Sequence, residues 1–247
     1  KKELNMNKFF KYFKRVDGQS LAEFAVTTAM MATLATTAAP KFSGVGEGAK
    51  EKKTLSDIDK IMKSANNFYN EQVTKSGRGR FPGQTKYNDP VPTGGGYTYT
   101  SGQDQQTAEL EVKYDLIGKD SNGDGDYDDS GEFAAPFTAY NNSSEAALWA
   151  SVFGSNNDDA PKPNGSNISN IEDPASTYWT NNEVTPGLGA EEFLEAFGGD
   201  PIKSPFQDGH YIYTVIAGTG SGSQSVAPII FIADLESPSS FWKKLQP

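Results

Sequence analysis

Cysteine is absent from the 247-residue chain, and histidine occurs once, as His210. The first absence removes disulfide scaffolds, thiolate zinc sites, iron–sulfur clusters and cysteine nucleophiles together. The second confines any histidine-based triad to His210 and excludes a multi-histidine metal centre. Positive charge is also short: 22 Lys and Arg against 32 Asp and Glu leave a net charge of −10. A chain that neutralises phosphates normally carries a basic excess, so no nucleic acid is expected as a partner. Apolar residues supply 36% of the chain beside 25 Gly and 14 Pro. That is the composition of a loop-rich protein around a modest core.

The charge and the apolar residues are unevenly placed. Residues 1–18 hold six basic residues (Lys1, Lys2, Lys8, Lys11, Lys14, Arg15) and two acidic ones (Glu3, Asp17). From Leu21 to Ala39 the only ionisable side chain is Glu23, among Ala, Thr, Met, Leu, Phe24 and Val26. A basic flank before such a segment reads as a membrane-inserted helix with its N-terminus on the cytoplasmic side. The Ala and Thr content favours close helix–helix packing over solitary life in lipid. Gly44, Gly46 and Gly48 then alternate after Pro40, and at about 1 kcal/mol each they are expected to weaken or melt a helix passing through them. Met6 is a candidate start residue, with Lys1–Asn5 upstream of it.

Helical periodicity resumes with Leu55, Ile58, Ile61, Met62, Ala65, Phe68, Tyr69 and Val73. Thr54 or Ser56 would cap this helix, and Asp57, Lys60, Lys63 and Glu71 would form its wet face. Beyond Gly77 the signals are turns and short elements. The alternation in Glu109–Leu116 (ELEVKYDL) predicts a strand, and residues 143–154 (SSEAALWASVFG) predict a short helix ending at Gly154. Ala190–Phe197 predicts another helix, stopped by Gly198–Gly199. HYIYTVIA (210–217) and APIIFIAD (227–234) predict a β-hairpin. The fold class expected is α+β: a long N-terminal α-helix packed on a small antiparallel β-sheet head.

The junction Gly18-Gln19-Ser20-Leu21-Ala22-Glu23-Phe24 resembles the processing site of type IV pilin-like proteins. In that family a basic leader ends in Gly, an apolar helix follows, and a Glu stands five residues past the Gly, with Pro common twenty-two past it. Glu23 and Pro40 hold those positions here, while Gln19 replaces the usual bulky apolar residue. FYNEQVTKSGRGRFPG (68–83) and SPFQDGHYIY (204–213) are similar to later landmarks of the same heads. The resemblance implies a leader at 1–18, an assembly and membrane helix at 19–53 with its Gly-rich weak segment, and a globular head at 54–247. It further implies cleavage between Gly18 and Gln19 by a prepilin peptidase, residence in the inner membrane as a precursor, and delivery by inner-membrane assembly machinery. The product would be an extracellular filament of identical subunits, with no enzymatic role. In the family the new amine, here on Gln19, meets the Glu of a neighbour, here Glu23; a lone carboxylate in an apolar helix costs several kcal/mol until it finds such a partner. A pseudopilin of a type II secretion system, a minor tip subunit or a Tad-type pilin shares this pattern. A different class is a membrane-anchored, calcium-dependent glycan-binding or hydrolytic domain, for which Glu191 and Glu195 are candidate carboxylates.

Asp120-x-Asn122-x-Asp124-Gly125-Asp126-x-Asp128 has the spacing of a calcium loop: alternate oxygen side chains converge, and Gly125 permits a sharp turn. Glu132 lies one place beyond the bidentate Glu of an EF-hand. The pattern serves either Ca²⁺, through Asp120, Asn122, Asp124, Asp126, Asp128 and Glu132, or a solvated Asp/Gly turn; the crowding of carboxylates favours the cation. His210 reads as a surface or strand-edge residue, and Lys75, Arg78 and Arg80 as a small solvated basic patch. Asn141, Asn142, Asn164 and Asn167 begin four potential glycan-acceptor triplets.

Overall fold

The computed structural model describes residues 17–92, 96–99, 104–139, 145, 148–154, 156–157, 160–161, 188–206, 210–220 and 225–247. Side chains are described from Gly46 onward, except at 156–157 and 160–161. The glycan-acceptor triplets lie outside these residues, as does most of residues 143–147. In chain order the elements are α1 (Asp17–Ser76), α2 (Gln105–Ile117), β1 (Ala150–Ser151), β2 (Asn156–Asn157), β3 (Ala160–Pro161), α3 (Leu188–Ala196), β4 (Tyr211–Ile216), β5 (Ile229–Asp234) and β6 (Trp242–Leu245). The chain divides into two compact units, Lys1–Ala49 and Lys50–Pro247. The α+β class is borne out: a long N-terminal helix accompanies a four-stranded antiparallel sheet of order β1-β4-β5-β6. β2 and β3 form a separate two-stranded ladder.

The hairpin forms as the two apolar runs predict, with Tyr211 opposite Asp234 and Ile216 opposite Ile229. All twelve residues of β4 and β5 are buried, because the sheet is covered on both faces. Strand periodicity sends Tyr211, Tyr213 and Val215 to one side and Ile212 and Ile216 to the other. The first set, with Ile230 and Ile232, packs in one core with Ile58, Ile61 and Ala65 of α1, Phe81 and Phe193 of α3. The second, with Ile229, Phe231 and Ala233, packs in another with Ala108, Val112 and Leu116 of α2, Tyr97, Phe137 and Trp149. β6 ties both layers to the sheet edge, its consecutive lysines reaching opposite faces: Lys243 pairs with Asp59 of α1 and Lys244 with Glu109 of α2.

Four local expectations are corrected. Glu109–Leu116 belongs to a helix, because a stripe at four-residue steps (Ala108, Val112, Leu116) faces the core while Leu110 stays exposed. Asp104 begins it by accepting the Thr107 amide at 3.0 Å, an N-cap that competes successfully with the strand reading. Ala150 and Ser151 lie in a strand rather than a helix, held opposite Tyr213 and Ile212. Residues 44, 46 and 48 remain inside α1; glycine lowers helix stability without removing a hydrogen-bond donor or acceptor, so the ladder continues. Thr54 and Ser56 are likewise interior to α1, and neither acts as its cap.

The amphipathic stripe of α1 is largely as expected, with Ile58, Ile61 and Ala65 fully buried, Leu55 and Val73 exposed. α3 ends where Gly198 and Gly199 adopt φ of +71° and +91°. The Gly199 amide reaches back to the Leu194 carbonyl at 2.8 Å, a Schellman closure that a side chain would strain.

The helical register of α2 has a direct test. Leu110→Gln is expected to change stability by less than about 0.5 kcal/mol, whereas Val112→Gln, which buries an amide, costs about 2 kcal/mol or more. Urea unfolding of the two variants measures this, and equal effects would point back to a strand.

Candidate functional site

Gly18, Gln19, Glu23 and Pro40 fall within the bounds of α1, and their side chains lie outside the described residues. Among the described residues, no helix is long and apolar enough to cross a membrane; the apolar stretch Leu21–Ala39 precedes the described side chains.

The Asp120–Glu132 loop leaves α2 through Gly118 and returns through a bridge between Lys119 and Phe133, with backbone bonds of 2.8 and 3.1 Å. Its alternating pattern works as a ladder of side-chain turns. Asn122 Oδ1 accepts the Asp124 amide at 2.9 Å, Asp124 Oδ1 the Asp126 amide at 3.1 Å, and Asp126 Oδ1 the Asp128 amide at 3.3 Å. Each is an Asx-type bond two residues onward. Asp120 accepts from the amides of Gly123 and Gly125. Asn122 Nδ2 also donates to Asp124 and Asp129, at 2.8 and 2.7 Å. Glu132 Oε1 receives the amides of Ser121 and Asn122 at 2.7 and 3.3 Å, while its Oε2 is buried without a hydrogen-bond partner.

The six candidate ligands therefore share one loop, yet among the described residues no three Asp, Glu or His side chains are gathered into a metal centre. Their chemistry suits a hard cation: all offer oxygen, carboxylates keep lone pairs beyond those used by single amides, and Glu132 Oε2 is an orphaned acceptor. The loop residues 120–131 are exposed.

A second polar centre lies where α1 crosses the beginning of β4, and sequence periodicity misplaced one of its members. Asp57 is buried rather than on the wet face, with only 1% of its surface accessible. Lys53 and Lys60 arch over it from adjacent turns at 2.6 and 2.7 Å, and the Tyr211 hydroxyl donates at 3.4 Å. The lysines keep their ammonium ends half-exposed, so a buried carboxylate is neutralised without burying two further charges. Burial, then the Asp57 and Asp234 charges, raises the Tyr211 phenol well above its ordinary range.

Next to it Asp234 is fully buried, receiving the Ser204 hydroxyl and the Glu236 and Ser237 amides, the last two at 3.0 and 3.3 Å. Burial outweighs those bonds and pushes its carboxyl up from 3.8 to about 6. His210 is also buried rather than at the surface, because its backbone carbonyl is bonded to the Leu235 amide and it lies inside the strand end. Burial lowers its imidazole to about 3, so it stays neutral.

The basic patch separates into different tasks. Arg80 makes a two-pronged contact with Glu192 of α3 at 2.7 and 3.1 Å and also holds the Gln84 carbonyl at 2.9 Å. Glu192 additionally accepts the Gly83 amide at 2.8 Å, which fixes the turn after α1. Lys75 pairs with Glu71 on the surface, and Arg78 lies over the Tyr87 ring at 4.4 Å. Glu191 and Glu195, the candidate carboxylates, are exposed; Glu192, between them in sequence, is the one that is largely buried. Comparison with protein-family models, curated proteins and solved structures returns no match for this chain.

The folded Asp234 carboxyl takes its proton near pH 6 and the unfolded one near 3.8. The native state thus binds more protons across that window and loses stability as pH rises through it. Asp234→Asn abolishes this loss. Relative to wild type, the variant is expected to gain about 2–3 kcal/mol between pH 4 and pH 7, measured by urea unfolding at a series of pH values.

Proposed function

We propose that this chain is the structural subunit of an extracellular type IV pilus-like filament, cleaved after Gly18 and polymerised through its N-terminal helix. The observation that carries the reading is the junction Gly18–Phe24 with Glu23 five and Pro40 twenty-two residues beyond the glycine. In support, α1 includes these residues and the packing stripe Ile58, Ile61 and Ala65, so one element serves both assembly and the head. Removal of the leader takes six basic residues and two acidic ones, leaving 16 against 30. The mature surface is accordingly more acidic than the precursor. It also frees the Gln19 amine, which neutralises Glu23 of a neighbouring subunit and fixes the axial register.

Ca²⁺ bound by Asp120, Asn122, Asp124, Asp126, Asp128 and Glu132 would hold the exposed loop rigid in an extracellular head. Glu132 would supply its unpartnered oxygen, and the Asp side chains lone pairs not used by loop amides.

Mass spectrometry of isolated fibres tests the processing step: peptides are expected to begin at Gln19, and fibres retaining Lys8–Gly18 would overturn it. Abundance separates the variants of the reading, since a major pilin dominates such a preparation and a pseudopilin does not. For the cation, chelation of the purified protein is expected to lower Tm by several degrees. An unchanged Tm removes calcium from the loop.

A further inference from the structure

One end of the head presents a cleft with an arginine and the other a loop of carboxylates, each beside exposed apolar side chains. The direction of the elements shows which end is which. Gln105, at the start of α2, donates to the carbonyls of Ala217 and Ala227 beside the hairpin loop, at 2.9 and 2.8 Å. Further along, Glu109 meets Lys244, which stands opposite Phe231. At about 1.5 Å per residue α2 is as long as β5 at about 3.4 Å per residue, so its last residue, Ile117, reaches the Asp234 end of the sheet. α1 runs the other way, from Asp57 beside Tyr211 to Val73 beside Ala227 and Pro228. The Asp120–Glu132 loop and the Arg78 turn therefore lie at opposite ends of the sheet.

At the hairpin end a cleft of about 230 Å³ is walled by Tyr69, Val73, Tyr87, Val226 and Pro228, with Arg78 as its charged member and no carboxylate in its lining. The Arg78 guanidinium carbon sits 4.4 Å from the centroid of the Tyr87 ring, a cation–π contact that leaves the positive charge in place on the cleft wall. Gly79 keeps the cleft open beside Tyr69: a Cβ there would sit 2.0 Å from the Tyr69 ring. At the other end the loop carries six carboxylates, Asp120, Asp124, Asp126, Asp128, Asp129 and Glu132, in the same stretch of chain as exposed Ile117, Tyr127 and Phe133. Val73 and Val226 are the exposed large apolar residues of the cleft.

We propose that the Arg78–Tyr87 cleft is the docking site for the Asp120–Glu132 loop of a second copy of this chain, forming the axial contact between heads. The proposal rests on the filament reading: subunits assembled through α1 share its direction, so the hairpin end of one head faces the loop end of another. Loop carboxylates meet the Arg78 fork, and Tyr127 and Phe133 cover Val73 and Val226. Because the two patches differ, the contact is head-to-tail, and within a filament such a contact propagates from subunit to subunit. One calcium per loop still leaves more negative than positive charge there, so the two occupancies coexist.

The absence of cysteine gives a clean test in assembled fibres of the full chain. Val226→Cys combined with Tyr127→Cys is expected to yield a ladder of disulfide-linked multimers on oxidation, and neither single variant is. Arg78→Glu is expected to reduce fibre yield about tenfold, as like charges then oppose one another, and Asp129→Arg, at an exposed loop carboxylate outside the calcium ligands, is expected to restore part of it in the same chain. Fibres that form normally with no ladder and no effect of Arg78→Glu overturn the docking and leave the filament reading standing. Dimers from a single cysteine variant also overturn it, because they report a like-with-like contact. A wild-type chain that makes no fibres in its own cell overturns both.

Discussion

Strands β4 and β5 are buried on both faces, and the placement of α1 and α2 follows from the need to cover them. A two-stranded ribbon of Ile, Val, Tyr and Phe has no wet side. At about 25 cal/mol per Å² of apolar surface removed from water, leaving either face open would cost more than a small domain's net stability. α1 closes one face and α2 the other. The loop after α1 is pinned over the first core by Arg80, Glu192 and Gln84, and Trp149 fills the second against Tyr97 and Phe137. The result is three layers, helix on sheet on helix, from a chain whose average apolar content is low.

Much of this was legible in the residues, for reasons that also explain the failures. The hairpin was visible because its two runs are apolar throughout, and the end of α3 because two glycines punctuate it. ELEVKYDL misled because a four-residue helical stripe and a two-residue strand stripe share Val112 and Leu116; only Ala108, just outside the run, and the cap at Asp104 separate them. β1 falls in a run that reads as a helix and β6 in one with no signal, because two and four residues carry no strand periodicity of their own and exist by pairing with β4 and β5. Asp57 was assigned to water by charge alone, yet Lys53 and Lys60 stand one turn to either side and neutralise it in place. The calcium-loop spacing, a ligand pattern on sequence alone, describes a run of Asx turns in the structure.

The buried polar groups at the start of β4 act against one another in acid. Asp234 favours the folded state more as pH falls through 6, whereas His210, with its imidazole lowered to about 3, penalises it over much of the same interval. Standing within two residues of one rung of the sheet, they make the head's response to moderate acid flatter than either group alone would.

Among the described residues, both margins of the sheet are poor templates for another strand. β1 presents two residues, and β6 spends its two central lysines on ion pairs to the layers above and below. Edges of this kind resist strand addition from a neighbouring chain. Wherever many copies of the head are crowded together, they can meet through side chains and part again, instead of fusing into a continuous cross-chain sheet.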